Sequence, residues 1–314
     1  MLEYNFGSGV DLLQQQVADY LAESRAQEWT TADDVFITTG NMGGTQLVCQ
    51  AYLGPGDVGI VESPLFGPSG RIVASTGAEL EAVTADGEGI DVAELERTIE
   101  AVEARGQRVR LLYCQPIWHN PTGVCISKAR AVALLQVCAK HDVVILADEA
   151  YEAYGFEGPP PVFLSALSKG RGVISVHSFS KTIGTGLRLG YIHANATMLE
   201  PCSTLSVDQP SVVLQFAVAE LLASGEWAKH LERQRREYEA RLGALCDGIE
   251  EHCQGLATCS KPTGGFFLWV ELLGDLTPEV STRLSLLSLD CASCQGLSDK
   301  RSDRRSTSRR CGTA

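Results

Sequence analysis

Between residues 33 and 194 the chain alternates short runs rich in β-branched residues with segments of helical period, and that alternation restricts the fold more than any other feature. Strand-like runs fall at 35–39, 58–62, 80–84, 109–114, 143–147, 173–178 and 189–194. Helix-period segments lie between them near 45–53, 92–104 and 127–141. Ser127 is placed to cap the last of these, and Ala131, Leu134, Leu135 and Cys138 share one of its faces. Near-continuous apolar strands alternating with helices predict an α/β fold of three layers, with a mostly parallel seven-stranded sheet covered on both faces. Ligands of such sheets gather at the carboxyl ends of the strands. The polar residues that break the apolar pattern sit just after the strand runs, where those ends fall.

The flanking segments read differently. Residues 1–30 form an N-terminal helical segment and 31–225 the large sheet-bearing domain. A long helix is expected over 226–253, with Trp227, Leu231, Leu242, Leu245 and Ile249 at helical spacing. It leads to an alternating strand at 264–271, so 226–275 reads as a partial α+β small domain. Residues 276–314 are Ser/Leu-rich and then Ser/Arg/Asp-rich, an atypical tail whose composition predicts disorder in its last part.

Charge and cysteine usage exclude several classes of function. The net charge of −13 argues against nucleic acid as a partner, because phosphate backbones select basic surfaces. Of the 11 cysteines, Cys49, Cys138 and Cys246 fall in amphipathic helical patterns and Cys114 in an apolar strand run. They read as reduced thiols of the core type, not as a disulfide framework. Cys291 and Cys294 form a C-x-x-C pair without a second pair, and Cys311 does not complete a zinc set, so no metal is expected. No stretch reaches the roughly 18 apolar residues of a membrane span, and the first residues lack the basic and apolar regions of a signal peptide. A soluble protein of the reducing cytoplasm is the expectation.

Five local features carry chemistry, each beside a plainer alternative. Thr38-Thr39-Gly40-Asn41-Met42-Gly43-Gly44 turns a strand into a helix, where backbone N–H groups of Asn41 and Met42 can meet an anion; such turns are also common without one. It fits neither a P-loop nor a dinucleotide fingerprint. Asn120-Pro121-Thr122-Gly123 follows an apolar strand and is otherwise a simple turn. Asp148-Glu149-Ala150-Tyr151 ends another strand, where the acid either caps a helix or holds a cationic ring nitrogen beside a phenol. In Ser178-Phe179-Ser180-Lys181-Thr182, followed by Arg188, hydroxyls and a guanidinium suited to phosphate bracket one lysine. The alternative is a surface lysine in a glycine-rich loop. Phe66, after Glu62-Ser63-Pro64-Leu65, is either a stacking aromatic or core. Lysine nucleophile, ring-nitrogen acid, phosphate donors and stacking aromatic together match the demands of pyridoxal 5′-phosphate (PLP).

On these motifs the chain, from about residue 2 to 271, resembles the class I/II aminotransferases of PLP fold type I. Its likeness is greatest to the branch containing kynurenine/2-aminoadipate aminotransferases. S-x-S-K followed seven residues later by Arg188 is the most specific signal, and N-P-T-G at 120–123 and D-x-x-Y at 148–151 add independent support. The resemblance implies that Lys181 forms the Schiff base and shuttles the substrate proton, and that Asp148 keeps the pyridine nitrogen protonated. It implies that Asn120 and Tyr151 bond the ring O3′, and that Phe66 stacks on the ring. Ser178, Ser180, Arg188 and the backbone of Asn41 and Met42 would bind the phosphate. Tyr4 matches a tyrosine that reaches the partner subunit's phosphate, which implies a homodimer. The implied substrates are an L-amino acid (aromatic, 2-aminoadipate or branched) and a 2-oxo acid, exchanged by a ping-pong route.

The pattern breaks at both ends. Relatives carry a substantial segment before the position of Tyr4. After residue 271 they carry further small-domain strands and an arginine that clamps the substrate carboxylate. Arg283, Arg301, Arg304, Arg305, Arg309 and Arg310 do not sit in that strand context. Losing such a bidentate pair, at about 1.5–3 kcal/mol per hydrogen bond, lowers catalytic efficiency by roughly two to four orders of magnitude. A frameshift, altered splicing or a gene-model error is the hypothesis for the abrupt change. A transcript that restores a family-like ending supports it, and clean transcripts encoding this tail oppose it. Two other readings compete with the aminotransferase: a PLP-dependent lyase, separated by product analysis, and a non-catalytic PLP-binding relic or sensing module. The regulators that use such a module carry a helix-turn-helix before it, which is not expected in this chain.

Overall fold

The computed structural model describes residues 7–156 and 161–273, which lie within one unit spanning residues 1–274. In chain order the first elements are α1 (Asp11–Arg25), β1 (Val35–Thr38), α2 (Gly40–Tyr52), β2 (Asp57–Ser63), α3 (Gly67–Ser75), β3 (Glu79–Asp86) and β4 (Gly89–Ile90). Next come α4 (Val92–Ala104), β5 (Arg108–Cys114), α5 (Lys128–Lys140), β6 (Val144–Asp148), α6 (Leu164–Ser168), β7 (Val173–Ser178) and β8 (Gly190–His193). The described chain closes with α7 (Ala196–Leu205), α8 (Val212–Ala223), α9 (Glu226–His252), β9 (Ala257–Cys259) and β10 (Val270–Leu272).

The sheet runs in the order β1-β8-β7-β6-β5-β2-β3-β4. Its centre is parallel: β3 to β2, β2 to β5, β5 to β6 and β6 to β7. Strand β8 runs antiparallel between β7 and β1. All seven expected strands are present, and the two-residue β4 extends the edge as an eighth.

Alternate residues of each strand enter opposite cores, the period-2 consequence of the pleat. On one face Val58, Ile60, Leu112, Cys114 and Ile145 pack against Leu95 and Ile99 of α4 and Leu134 and Cys138 of α5. On the other, Val61, Leu111, Tyr113, Leu146 and Val176 meet Val48 and Cys49 of α2 and Val73 of α3. A third cluster joins Leu13, Val17 and Leu21 of α1 to Val35, Ile37 and Tyr191 and to Trp227 and Leu231 of α9. Side-chain caps start α4 and α5 as their sequences demand: Asp91 accepts from Glu94 N at 2.9 Å, and Ser127 from Arg130 N at 3.2 Å. The described cysteines, Cys49, Cys114, Cys138 and Cys246 among them, are free thiols. Burial pushes those of Cys49 and Cys138 up to about 12.

Three local expectations are corrected. Helix α2 starts at Gly40, five residues before the first helix-period residue, because the glycines of its first turn hide the apolar period. The stretch 264–271 is a strand only from Val270, in a ribbon of β10 with β9. Before that, the half-buried Phe266 and Phe267 pack on Tyr151, with ring centroids 5.6 and 5.2 Å away, so aromatic packing replaces strand pairing. In α9 only Trp227 and Leu231 of the expected apolar stripe are buried, and Leu245 is exposed. Tyr4, the Cys291/Cys294 pair, Cys311 and the tail at 276–314 lie outside the described residues.

Candidate active site

The parallel strands end side by side, and their ends carry the polar residues. Asp148, the last residue of β6, is 3 % exposed, and its side chain projects to the α2 side of the sheet. Three side chains donate to it. Asn41 Nδ2 reaches Oδ1 at 2.8 Å, Tyr113 Oη reaches Oδ2 at 2.7 Å, and Gln115 Nε2 reaches Oδ2 at 3.0 Å. The Ala150 backbone N–H adds a contact to Oδ1 at 3.2 Å. Burial raises the carboxyl's pKa, and these donors pull it back down. A carboxylate so placed is stabilised further by a cation brought against it.

Around Asp148 stand the other members. Asn120 is buried, and its Nδ2 lies 3.5 Å from Tyr151 Oη. The Lys181 Nζ sits over the Tyr151 ring, 5.8 Å from its centroid. Two residues outside the motifs hold the backbone of this lysine's loop. Tyr154 Oη donates to the Lys181 carbonyl at 2.6 Å, and His230 Nε2 of α9 donates to the Thr182 carbonyl at 3.0 Å.

A separate anion cradle forms where α2 begins. Its first N–H groups have no partner within the helix and face the sign of charge a phosphate carries. Gly40, at φ 72°, has the Arg188 guanidinium directly above it: an added Cβ would lie 3.1 Å from Arg188 Nη2. Arg188 Nη1 in turn reaches Ser180 Oγ at 3.4 Å, and Ser178 Oγ accepts from Ser180 N at 3.1 Å. The approach of β8 to this turn depends on Gly190, where a Cβ would meet the His177 carbonyl oxygen at 2.4 Å and Gly40 Cα at 2.9 Å.

Of the residues singled out in the sequence, Asp148, Asn120, Tyr151 and Lys181 come together, and Ser178, Ser180, Arg188, Asn41 and Met42 surround the α2 cradle. Phe66, half-buried, is the N-cap of α3 just beyond β2. Asn41 does more than the sequence foresaw, since its side-chain amide, not only its backbone, enters the site. Tyr113 and Gln115 were missed. Their signal was available: two polar residues at i, i+2 on one face of a buried strand's end.

The arrangement can now be set beside known proteins. A crystal structure of an archaeal alanine:glyoxylate aminotransferase superposes with a TM-score of 0.83 at 30% identity, covering 91% of this chain and 71% of that one. The 2-aminoadipate transaminase of Thermus thermophilus is 29% identical over 91% of this chain and 70% of its own length. The uncharacterized HTH-type transcriptional regulator YjiR of Escherichia coli is 30% identical over 87% of this chain, but the match covers only 57% of YjiR. The family model of the aminotransferases of class I and II matches residues 2–287. The chain belongs to that family. It spans little more than half the length of the regulators it matches.

Proposed function

We propose that this chain holds PLP and acts as an aminotransferase, moving the amino group of an L-amino acid to a 2-oxo acid in two half-reactions, with one product leaving before the second substrate binds. The observation that carries the reading is the convergence of Lys181, Asp148, Asn120 and Tyr151 at one end of the sheet beside the Arg188–Ser180–α2 cradle. The residues fit the cofactor: a buried acid held by donors suits a protonated ring nitrogen, and the cradle suits a phosphate. When bound, PLP supplies an electron sink for the charge left when the substrate α-proton departs.

Each side chain then has a task. Asp148 keeps the ring nitrogen protonated by its charge. Asn120 and Tyr151 hold the ring O3′ by hydrogen bonds, and Phe66 covers the ring. Ser178, Ser180, Arg188 and the amides of Asn41 and Met42 fix the phosphate. Lys181 Nζ anchors the cofactor and then takes and returns the substrate α-proton. The same proposal includes a PLP-binding large domain at 31–225, a partial small domain at 226–275, and a cytoplasmic homodimer in which Tyr4 reaches the partner's phosphate. Aromatic, 2-aminoadipate or branched donors are the proposed substrates, supported by the transaminase relatives.

The likeness to YjiR favours a second reading, a PLP-binding module that senses without turning over. One experiment separates the two. PLP-loaded protein is mixed with single amino acids without acceptor, and the released 2-oxo acid is measured by mass spectrometry. The aminotransferase reading expects about one equivalent per chain from a preferred donor. PLP held firmly with no oxo acid released from any donor contradicts it and supports the module.

A further inference from the structure

Gln115 is a buried amide with all its polar atoms engaged. It lies just past the end of β5, between the residue assigned to the ring nitrogen and one assigned to O3′. Its Nε2 donates to Asp148 Oδ2 at 3.0 Å and to Tyr113 Oη at 3.2 Å, while Tyr113 Oη itself donates to the same carboxylate oxygen at 2.7 Å. The other end of the amide points to the second ring-edge residue, with Oε1 accepting from the Asn120 backbone N–H at 2.9 Å. Its backbone is held as well, since the Gln115 N–H donates to Glu62, whose carboxylate lies 3.2 Å from His119 Nε2. Chemistry fixes the amide's orientation. Flipped, it would set a carbonyl oxygen against the Asp148 carboxylate and an NH2 group against the Asn120 N–H.

We infer that Gln115 is a positioning residue that sets the separation and orientation of Asp148 and Asn120, the residues that would meet the ring nitrogen and O3′. The inference rests on the PLP reading. Both ends of the amide are needed. The NH2 end keeps the Asp148 carboxylate turned toward the ring nitrogen, and the carbonyl end ties down the loop that carries Asn120. A hydrocarbon side chain of the same length fills the space and does neither. The ionisable groups that act on Asp148 from the elements around it are Tyr113 on β5, His119 in the loop after β5 and Tyr151, while Glu149, next in sequence, points to the other side of the sheet. Gln115, like Asn41, is a neutral amide that donates to Asp148, and it alone of the two also binds the Asn120 backbone.

The test compares the full chain with Gln115→Met and Gln115→Glu. Three quantities are read: the PLP dissociation constant by absorbance, the pH midpoint of the bound-cofactor visible band, and the melting temperature without PLP. Gln115→Met is expected to bind PLP roughly tenfold more weakly, the loss of about one charge-assisted hydrogen bond, and to displace the midpoint. Gln115→Glu is expected to bind weakly at high pH and to recover toward the parent as pH falls. A protonated Glu again donates to Asp148 while accepting from Asn120. Lower melting temperatures with parental PLP affinity and midpoint in both variants would overturn the inference, leaving Gln115 a purely structural residue. A parent chain that binds no PLP would overturn the reading beneath it instead.

Discussion

Asp148 and Glu149 are neighbours in sequence with opposite surroundings, because successive strand residues face opposite sides of the sheet. Asp148 has four donors, whereas Glu149, fully buried, has 3.4 Å away the Nε2 of His177, an imidazole whose own pKa burial pushes well down. Burial first, and then the charge of Glu152, raise the Glu149 carboxyl from 4.5 to about 8. Below pH 4.5 the folded and unfolded chains both hold that proton. Between 4.5 and about 8 only the folded chain does, so this group's contribution to stability falls as pH rises through that window. Glu149→Gln is therefore predicted to gain stability over the parent as pH goes from 5 to 8, by on the order of a few kcal/mol at the upper end. Melting curves across this range check it, and a constant difference would contradict it. Burial holds His193 in the opposite sense, down to about 3, so its contribution is lost as pH falls below 6.5. Asp148→Asn leaves most of the cavity's shape while removing the charge, and is predicted to cost at least 100-fold in kcat with a much smaller change in PLP affinity. Steady-state kinetics beside a PLP titration tests that split.

At the scale of elements, the site depends on how closely β8 approaches the start of α2. Gly190→Ala puts a methyl group against backbone, the His177 oxygen and Gly40, where no flexible side chain can give way. The predicted cost is about 1–3 kcal/mol of stability, with weakened phosphate retention because Gly40 and Arg188 are displaced together. Urea unfolding and PLP affinity should both report it. By contrast, Asp91→Ala at the cap of α4 is predicted to cost about 1 kcal/mol and to leave cofactor affinity unchanged, since α4 packs on the sheet face opposite α2. The central parallel strands were legible because buried strands of that kind are near-continuous apolar runs, and the antiparallel β1 and β8 because they are short runs buried throughout. Strand β4 was not, since two residues carry no period. The start of α2 was hidden by Gly40, Gly43 and Gly44. The alternation at 264–271 misled because its half-buried Phe266 and Phe267 pack on the rings of Tyr151 and Tyr154 and the strand pairing starts only at Val270.

For the whole molecule, the sheet order explains why part of the site could be read from sequence and part could not. Lys181, Ser178, Ser180 and Arg188 lie within one stretch of chain, as do Asp148 and Tyr151, so local motifs found them. The donors to Asp148 come from α2 and from β5, which become its neighbours only through the order of strands. Gln115 and Tyr113 carried a faint local signal, whereas the Asn41 side chain carried none, its turn reading as a backbone feature. Among the described residues no helix is long and apolar enough to cross a membrane.

If these ends of the sheet form one PLP site anchored by Lys181, as proposed, the visible absorption spectrum of the protein with PLP, alongside Lys181→Ala, reads it most directly. The parent is expected to show a protein-bound visible band that survives gel filtration, and Lys181→Ala no such band although the fold is retained. An unchanged band in the variant, or none in a folded parent, would contradict it.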